Sequence, residues 1–309
     1  MRFQTVTIAT IFAAAAASAG AQSWEGDLTL GYGFGEVEDE DISRLGFVLG
    51  GLFSVGDNFS VGTRLDAMRL RAGDDDEHSH VTNGVIAPMF HLDDQRSVGA
   101  YYEFNRVASD SDDFEFHSYG LSGGYEIGTF AGQVYIGTLD ESPEQAGSED
   151  WVEYGGSFTY GLSPEALVGF RYDRTVLRND DGESAMSAHG LAWAYDFGDA
   201  NVFGGLLRSK TDDEFADEDD DIFTYKYAVG MGYDLSAVTE FDAMASVELV
   251  RTNSDLVGDD LRGHEVRFGL SIPIGGAAQS AVPGTSVAGQ ILGQGRSAFG
   301  NNQQNSFNF

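Results

Sequence analysis

Arg64, Asp66, Glu103, Glu126, Glu153, Arg171, Asp173, Lys226, Glu240, Asp242, Glu248, Glu265 and Arg267 share one property: each falls on the polar face of a segment whose alternate residues are apolar. Nine of them are acids and four are bases. If those faces line one passage, its carboxylates favour cations and disfavour anions, because charged rings select by sign. The same side chains can instead brace the wall by pairing between strands. Neighbours two apart, such as Arg64 with Asp66 and Arg171 with Asp173, are expected to pair with adjacent strands rather than with each other.

Two further stretches concentrate chemistry. "DDDEHSH" and "DEFADEDDD" crowd carboxylates that hard divalent cations accept as ligands, but neither has the spacing with a central Gly that defines a calcium hand. They read as solvated acidic loops that Ca²⁺ or Mg²⁺ can neutralise. His78 and His80, two apart, do not make a histidine metal site. With 50 acidic against 17 basic residues the net charge is −33, which excludes nucleic acid as a partner. The absence of Cys removes disulfides, thiolate metal sites and a cysteine nucleophile. No cofactor is expected.

The elements that must position these charges are strands. Alternation of period two recurs from "LTLGYGFG" (Leu28, Leu30, Tyr32 and Phe34 on one face) to "VRFGLSIPIG" (Val266, Phe268, Leu270, Ile272 and Ile274). The pattern places about fourteen strands, near 24–36, 43–54, 58–71, 80–92, 96–107, 114–127, 130–139, 151–161, 165–177, 185–197, 201–210, 222–234, 238–251 and 263–275. Each is long enough for a tilted membrane strand of ~9–11 residues. Near Val202 and Val81 the two faces differ little, so periodicity alone does not fix the register there.

The connections alternate in length. Short turns ("SVGDN", "DDQ", "GLSP", "GDA", "LSA") exchange with seven longer loops that hold about 30 of the 50 acids. A soluble sandwich or barrel would turn its apolar face inward. Here Gly, Ser and Thr fill the polar face while Tyr, Phe and Trp cluster near strand ends, and fourteen strands would enclose a lumen too wide for a soluble core. The expected fold is therefore all-β: an antiparallel transmembrane β-barrel with short periplasmic turns and acidic extracellular loops.

In these features the chain resembles Gram-negative outer-membrane β-barrel proteins of the porin-like kind. The resemblance covers residues 1–275, and it includes a terminal strand in which Gly269, Ile272 and Ile274 fit the polar-x-Gly-x-x-hydrophobic-x-hydrophobic signal read by the barrel-assembly machinery. A shorter resemblance lies in "HSHVTNG", which is similar to the His-x-Ser-Asn-Gly segment of outer-membrane phospholipases; it implies His80 as base and Thr82 in the nucleophile's place. No residue to orient that base can be assigned, so a polar strand start is the simpler account.

The chain divides into three regions. Residues 1–21 form a signal peptide ending in a small-x-small site, residues 22–275 form the barrel, and residues 276–309, rich in Gly, Ser, Asn and Gln, form a flexible tail that either hangs in the periplasm or folds back into the lumen. The expected function is an outer-membrane diffusion channel for small solutes or ions with cation preference, and no enzyme. The alternatives are a surface-exposed or structural barrel without conductance and an acyl hydrolase using His80 and Thr82. Lipid, lipopolysaccharide and the assembly machinery are the expected partners.

Overall fold

The computed structural model describes residues 22–38, 40–73, 78–109, 113–142, 150–179, 182–213, 222–256, 259–275 and 280–292. The signal peptide and most of the acidic loop residues lie outside that set. Fourteen strands succeed one another: β1 Gln22–Val37, β2 Glu40–Val55, β3 Phe59–Ala72, β4 His78–His91, β5 Arg96–Ala108, β6 Asp113–Ile127, β7 Phe130–Ser142, β8 Asp150–Gly161, β9 Ala166–Asn179, β10 Gly182–Asp196, β11 Ala200–Asp213, β12 Ile222–Asp234, β13 Met244–Leu256 and β14 Asp259–Ile274. Each pairs antiparallel with its sequence neighbours, and β1 pairs with β14 from Gly26 opposite Ile274 to Val37 opposite Gly263. The sheet is a closed barrel with no edge, which is what allows strands to cross hydrocarbon, where an unpaired N–H or C=O has no water to bond.

The pleat then decides which side is wet. Leu30, Tyr32, Leu121, Val134, Ile136, Tyr154, Val229, Leu249 and Phe268 stand exposed on the outer wall, and Leu121 and Val134 reach 66% and 65% exposure. On the other face of these strands Thr29, Ser118, Ser122, Glu153, Glu248 and Arg267 are buried inside. An apolar belt round a closed barrel with a polar interior is the inverse of a soluble protein and fits a bilayer. The molecule is a transmembrane β-barrel of the outer-membrane kind.

The short connections gather at one end, over 56–58, 92–95, 128–129, 162–165 and 197–199. Gly56, Gly128 and Gly198 take positive φ there, a conformation other residues adopt at a cost. At 92–95 the clamp is a side chain: Asp93 accepts from the backbone N–H groups of Gln95 (3.0 Å) and Arg96 (2.8 Å) and from the Arg96 guanidinium (2.5 Å). Arg96 and these amides hold the Asp93 carboxyl below the ordinary aspartate range.

One expected strand boundary is corrected. The strand placed at 238–251 begins at Met244, because residues 235–243 are spent on a wide turn. Asp234 accepts from Ser236 N–H (2.8 Å) to cap a 3-10 turn over Leu235–Ala237, and Thr239 Oγ1 accepts from Phe241 N–H (3.1 Å). Such local side-chain bonds compete with strand pairing, and they leave Glu240 and Asp242 exposed off the wall. Of the tail expected over 276–309, residues 280–292 are described, and they take the luminal of its two expected courses: helix α1, Val287–Leu292, packs inside the barrel with Val287, Ala288, Gly289 and Ile291 buried.

The outward face yields a direct check. Val229→Arg, in the middle of the lipid-facing belt, should destabilise the barrel folded in lipid vesicles by ~2–4 kcal/mol in a urea titration, whereas Gln133→Arg on the lumen side of β7 should change its stability by less than ~1 kcal/mol.

Candidate functional site

The lumen is built from alternate residues of all fourteen strands, and its charges segregate into two networks. On the side of β14, β2 and β3, Arg44 Nε meets Glu265 Oε1 at 2.7 Å, Arg267 Nε meets Glu265 Oε2 at 2.8 Å, and Arg267 Nη1 reaches Glu248 Oε2 at 3.4 Å. Arg64 Nε donates to Asp66 Oδ2 at 2.9 Å. Lys226, 2% exposed, lies among Arg44, Arg267, Glu248 and Glu265.

On the side of β4 to β9 the network is acidic and rich in neutral donors. Asn83 Nδ2 donates to Glu103 Oε1 and to Asn105 Oδ1, both at 2.6 Å. Tyr101 and Ser118 hydroxyls donate to Glu153 Oε1, and Tyr135 donates to Asp173 Oδ1 at 2.7 Å. Tyr101 on β5 reaches Glu153 on β8 by passing over β7 at Gly137, where any Cβ would collide with the phenol oxygen. Arg171 Nε closes on Asp173 Oδ2 at 2.5 Å. Three buried oxygens here, Glu153 Oε2, Asn83 Oδ1 and Thr175 Oγ1, have no hydrogen-bond partner among the described residues.

These pairs overturn the expectation about neighbours two apart. Arg64 with Asp66, Arg171 with Asp173 and Arg267 with Glu265 all pair along one strand. Luminal side chains at i and i+2 start only about 7 Å apart, and a guanidinium laid along the wall spans that distance with its Nε.

Between the networks sit residues 280–292. Ser286 anchors the turn into α1: its Oγ donates to Pro283 O (2.7 Å) and accepts from Gly289 N–H (2.9 Å). Val287, Ala288 and Ile291 pack with Val282 against Ala188, Ala192, Ala194, Phe203, Leu207 and Val250 on β10, β11 and β13. Approach is close because Gly190 and Gly205 carry no side chain; a Cβ there would lie 2.6 Å from Ile291 and 2.9 Å from Val287. The segment's backbone bonds to the charged wall on both sides. Val287 N–H donates to Glu248 Oε1 (3.0 Å), Arg64 Nη2 donates to Gly284 O (3.4 Å), and Arg171 Nη1 donates to Gln290 O (3.4 Å). Gly284 N–H donates to Thr29 Oγ1 (3.2 Å). Toward the short-turn end a cavity of about 430 Å³ remains, lined by Glu25, Asp27, Thr63, Arg64, Thr159 and the segment itself.

Of the thirteen charges expected on the polar faces, Arg64, Asp66, Glu103, Glu153, Arg171, Asp173, Lys226, Glu248, Glu265 and Arg267 stand on the inner wall. Glu126 shares their parity but lies exposed near the end of β6, and Glu240 and Asp242 precede β13. Arg44, on the same face of β2 as Gly46, belongs to the network and was missed because it lies at the start of its expected strand. The balance of nine acids to four bases thus becomes six to four among the fully buried charges, with Arg64 and Asp27 part-buried beside them. Gly269 faces the lumen beside Ser246 and Pro283, and Ile272 and Ile274 share the outward parity of Phe268. His80 and Thr82 face outward near the long-connection end of β4, with no hydrogen bond joining them; Asn83 turns inward to Glu103.

No family model and no curated protein matches the chain. Solved structures share its fold distantly. A loop-deleted OmpT, an outer membrane protein of Vibrio cholerae, is 14% identical with a TM-score of 0.48, over 82% of this chain and 100% of that one. The CymD monoaromatic hydrocarbon channel is 11% identical at 0.49, over 83% and 89%. Pseudomonas aeruginosa OccK7 is 11% identical at 0.46, over 83% and 100%. At such identities the likeness is one of fold alone.

The seating of α1 is measurable because the chain has no cysteine. Ile291→Cys, buried in the lumen, should react with a bulky water-soluble maleimide at least ~10-fold slower than a surface cysteine at Asp57→Cys. Adding Gly205→Leu, which intrudes on Val287, should remove most of that protection.

Proposed function

We propose that this protein is an outer-membrane channel for small solutes or ions, closed in this conformation by its own residues 280–292, with cations preferred in the open path. One observation carries the reading: a segment of the chain lies inside the barrel and is held by backbone bonds to Arg64, Arg171 and Glu248, the same charged wall a solute would cross. A barrel with a purely structural task has no need of a polar, charge-lined lumen, since an apolar filling of similar volume is at least as stable as buried ion pairs.

The cation preference rests on acceptors rather than on net charge. Six buried carboxylates against four buried bases, with Asp27 and Arg64 part-buried, give only a small bias. The unpartnered Glu153 Oε2 and Asn83 Oδ1, however, are acceptor oxygens that a partly dehydrated cation can use and an anion cannot. The acidic connections add a negative potential at one mouth. The short-turn end faces the periplasm, and the Gly269, Ile272 and Ile274 pattern on the closing strand serves assembly.

Planar-bilayer recording tests the reading. The full-length protein should show rare or small openings, and truncation after Gly275 should still assemble and conduct several-fold more. In a KCl gradient the truncated barrel should reverse on the potassium side, and Glu153→Gln should move that potential toward zero. A silent truncated barrel favours the structural alternative, and anion selectivity contradicts the role given to Glu153.

A further inference from the structure

The chain has only 17 basic residues, and their placement on the outer wall is uneven. Across β9 to β14, at the long-connection boundary of the apolar belt, a row of outward side chains is basic or aromatic. Tyr172 stands opposite His189, His189 opposite Arg208, Arg208 opposite Tyr225, and Arg251 opposite both Tyr227 and His264. Lys210 and Arg262 extend it one step outward. At the same height on β2 to β7 the outward bases are Arg69, Arg71 and Arg106, and they share the wall with Asp41, Glu115 and Asp140; Arg106 is engaged by Asp113 and Glu115.

The row is held in place by rings. The Arg208 guanidinium lies 4.9 Å from the Phe223 centroid and 5.8 Å from that of Tyr225, and the Tyr172 and His189 rings are 4.9 Å apart. The acidic neighbours among the described residues are Asp212, which pairs with Lys210; Glu36, directly opposite His264 with its carboxylate 3.8 Å away; and Asp255 and Asp260, which face each other further toward the loops. Arg251 bonds the neutral Asn253, at 3.4 Å. Directly below Arg251 and His264 a groove of about 490 Å³ opens on the outer surface, lined by Leu206, Tyr227, Val229, Leu249 and Val266.

Charged groups facing a bilayer at headgroup depth are stable where anionic headgroups pair with them, and arginine forks match phosphate oxygens better than any other side chain. We infer that the outer wall of β11 to β14 is a binding site for a phosphorylated glycolipid of the lipid A type, its phosphate held by Arg208, Arg251 and His264 and one acyl chain lying in the groove beneath. The inference rests on the outer-membrane placement only in naming which leaflet supplies the lipid. It does not depend on whether the barrel conducts.

The test uses the full-length protein in nonionic detergent, titrated with bisphosphorylated lipid A and followed by native mass spectrometry. One lipid should bind per barrel. Arg208→Gln with Arg251→Gln should weaken binding at least ~10-fold, as should removal of both phosphates from the lipid. Arg106→Gln, on the opposite side and engaged with Asp113 at 2.6 Å, should leave binding unchanged. Because the double variant could fold poorly, Arg208→Lys with Arg251→Lys is measured beside it and should retain most of the affinity. Equal binding by the Gln variant, equal binding of the dephosphorylated lipid, or full competition by inorganic phosphate at equal concentration would each overturn the site.

Discussion

Everything in this molecule depends on β1 finding β14. Until Gly26 to Val37 pair with Gly263 to Ile274, two strands present unbonded backbone to hydrocarbon, where each unmet group costs several kcal/mol. Once the ring closes, the period of two in every strand becomes a partition between lipid and lumen. A one-residue slip at the seam would carry Glu265 and Arg267 into the membrane and Phe268 into the lumen. The register is therefore defended by polar residues inside as much as by apolar residues outside.

The lumen accepts charges on strict terms. Glu103, Glu153, Asp173, Lys226 and Arg267 are each at most 6% exposed, so water no longer solvates them. Desolvation of that kind is offset only by dense pairing, which the wall provides through i, i+2 pairs along strands and tyrosines reaching across them. Residues 280–292 enter this arrangement at two chemically different places. α1 covers an apolar stripe on β10, β11 and β13 that would otherwise be wet, while the preceding turn and the helix backbone supply amide and carbonyl groups to Arg64, Arg171 and Glu248. The segment completes the lumen instead of merely occupying it.

Most of the barrel was legible in the sequence, since strict alternation and alternating connection lengths specify strands, faces and strand number together. What failed did so where a local interaction overrode the period. The apparent run through Phe241 and Ala243 is broken by the Asp234 and Thr239 turn bonds, which no face pattern records. Arg44 escaped because strand ends are poorly bounded by periodicity. The tail's composition, without Asp or Glu and rich in Gly and Ser, left its course open between periplasm and lumen, because the partner that orders residues 280–292 is the inner wall and not the tail itself.

The clue to that partner was present in β10 and β11. Near Val202 the two faces differ little because both are apolar, and a luminal face bearing Ala192, Phe203 and Leu207 makes no sense for a water-filled wall. An ambiguous strand inside an otherwise clean alternation is informative: it marks an interior face that is packed, near Val202 by residues 282–291 and near Val81 by wall side chains, where Val85 and Ala87 meet Tyr101 and Tyr135. Val282, Val287, Ala288 and Ile291 are apolar residues not committed to the wall, and the structure unites the two. Loss of amphipathic contrast on β11 thus points to an inner face that is packed instead of wet.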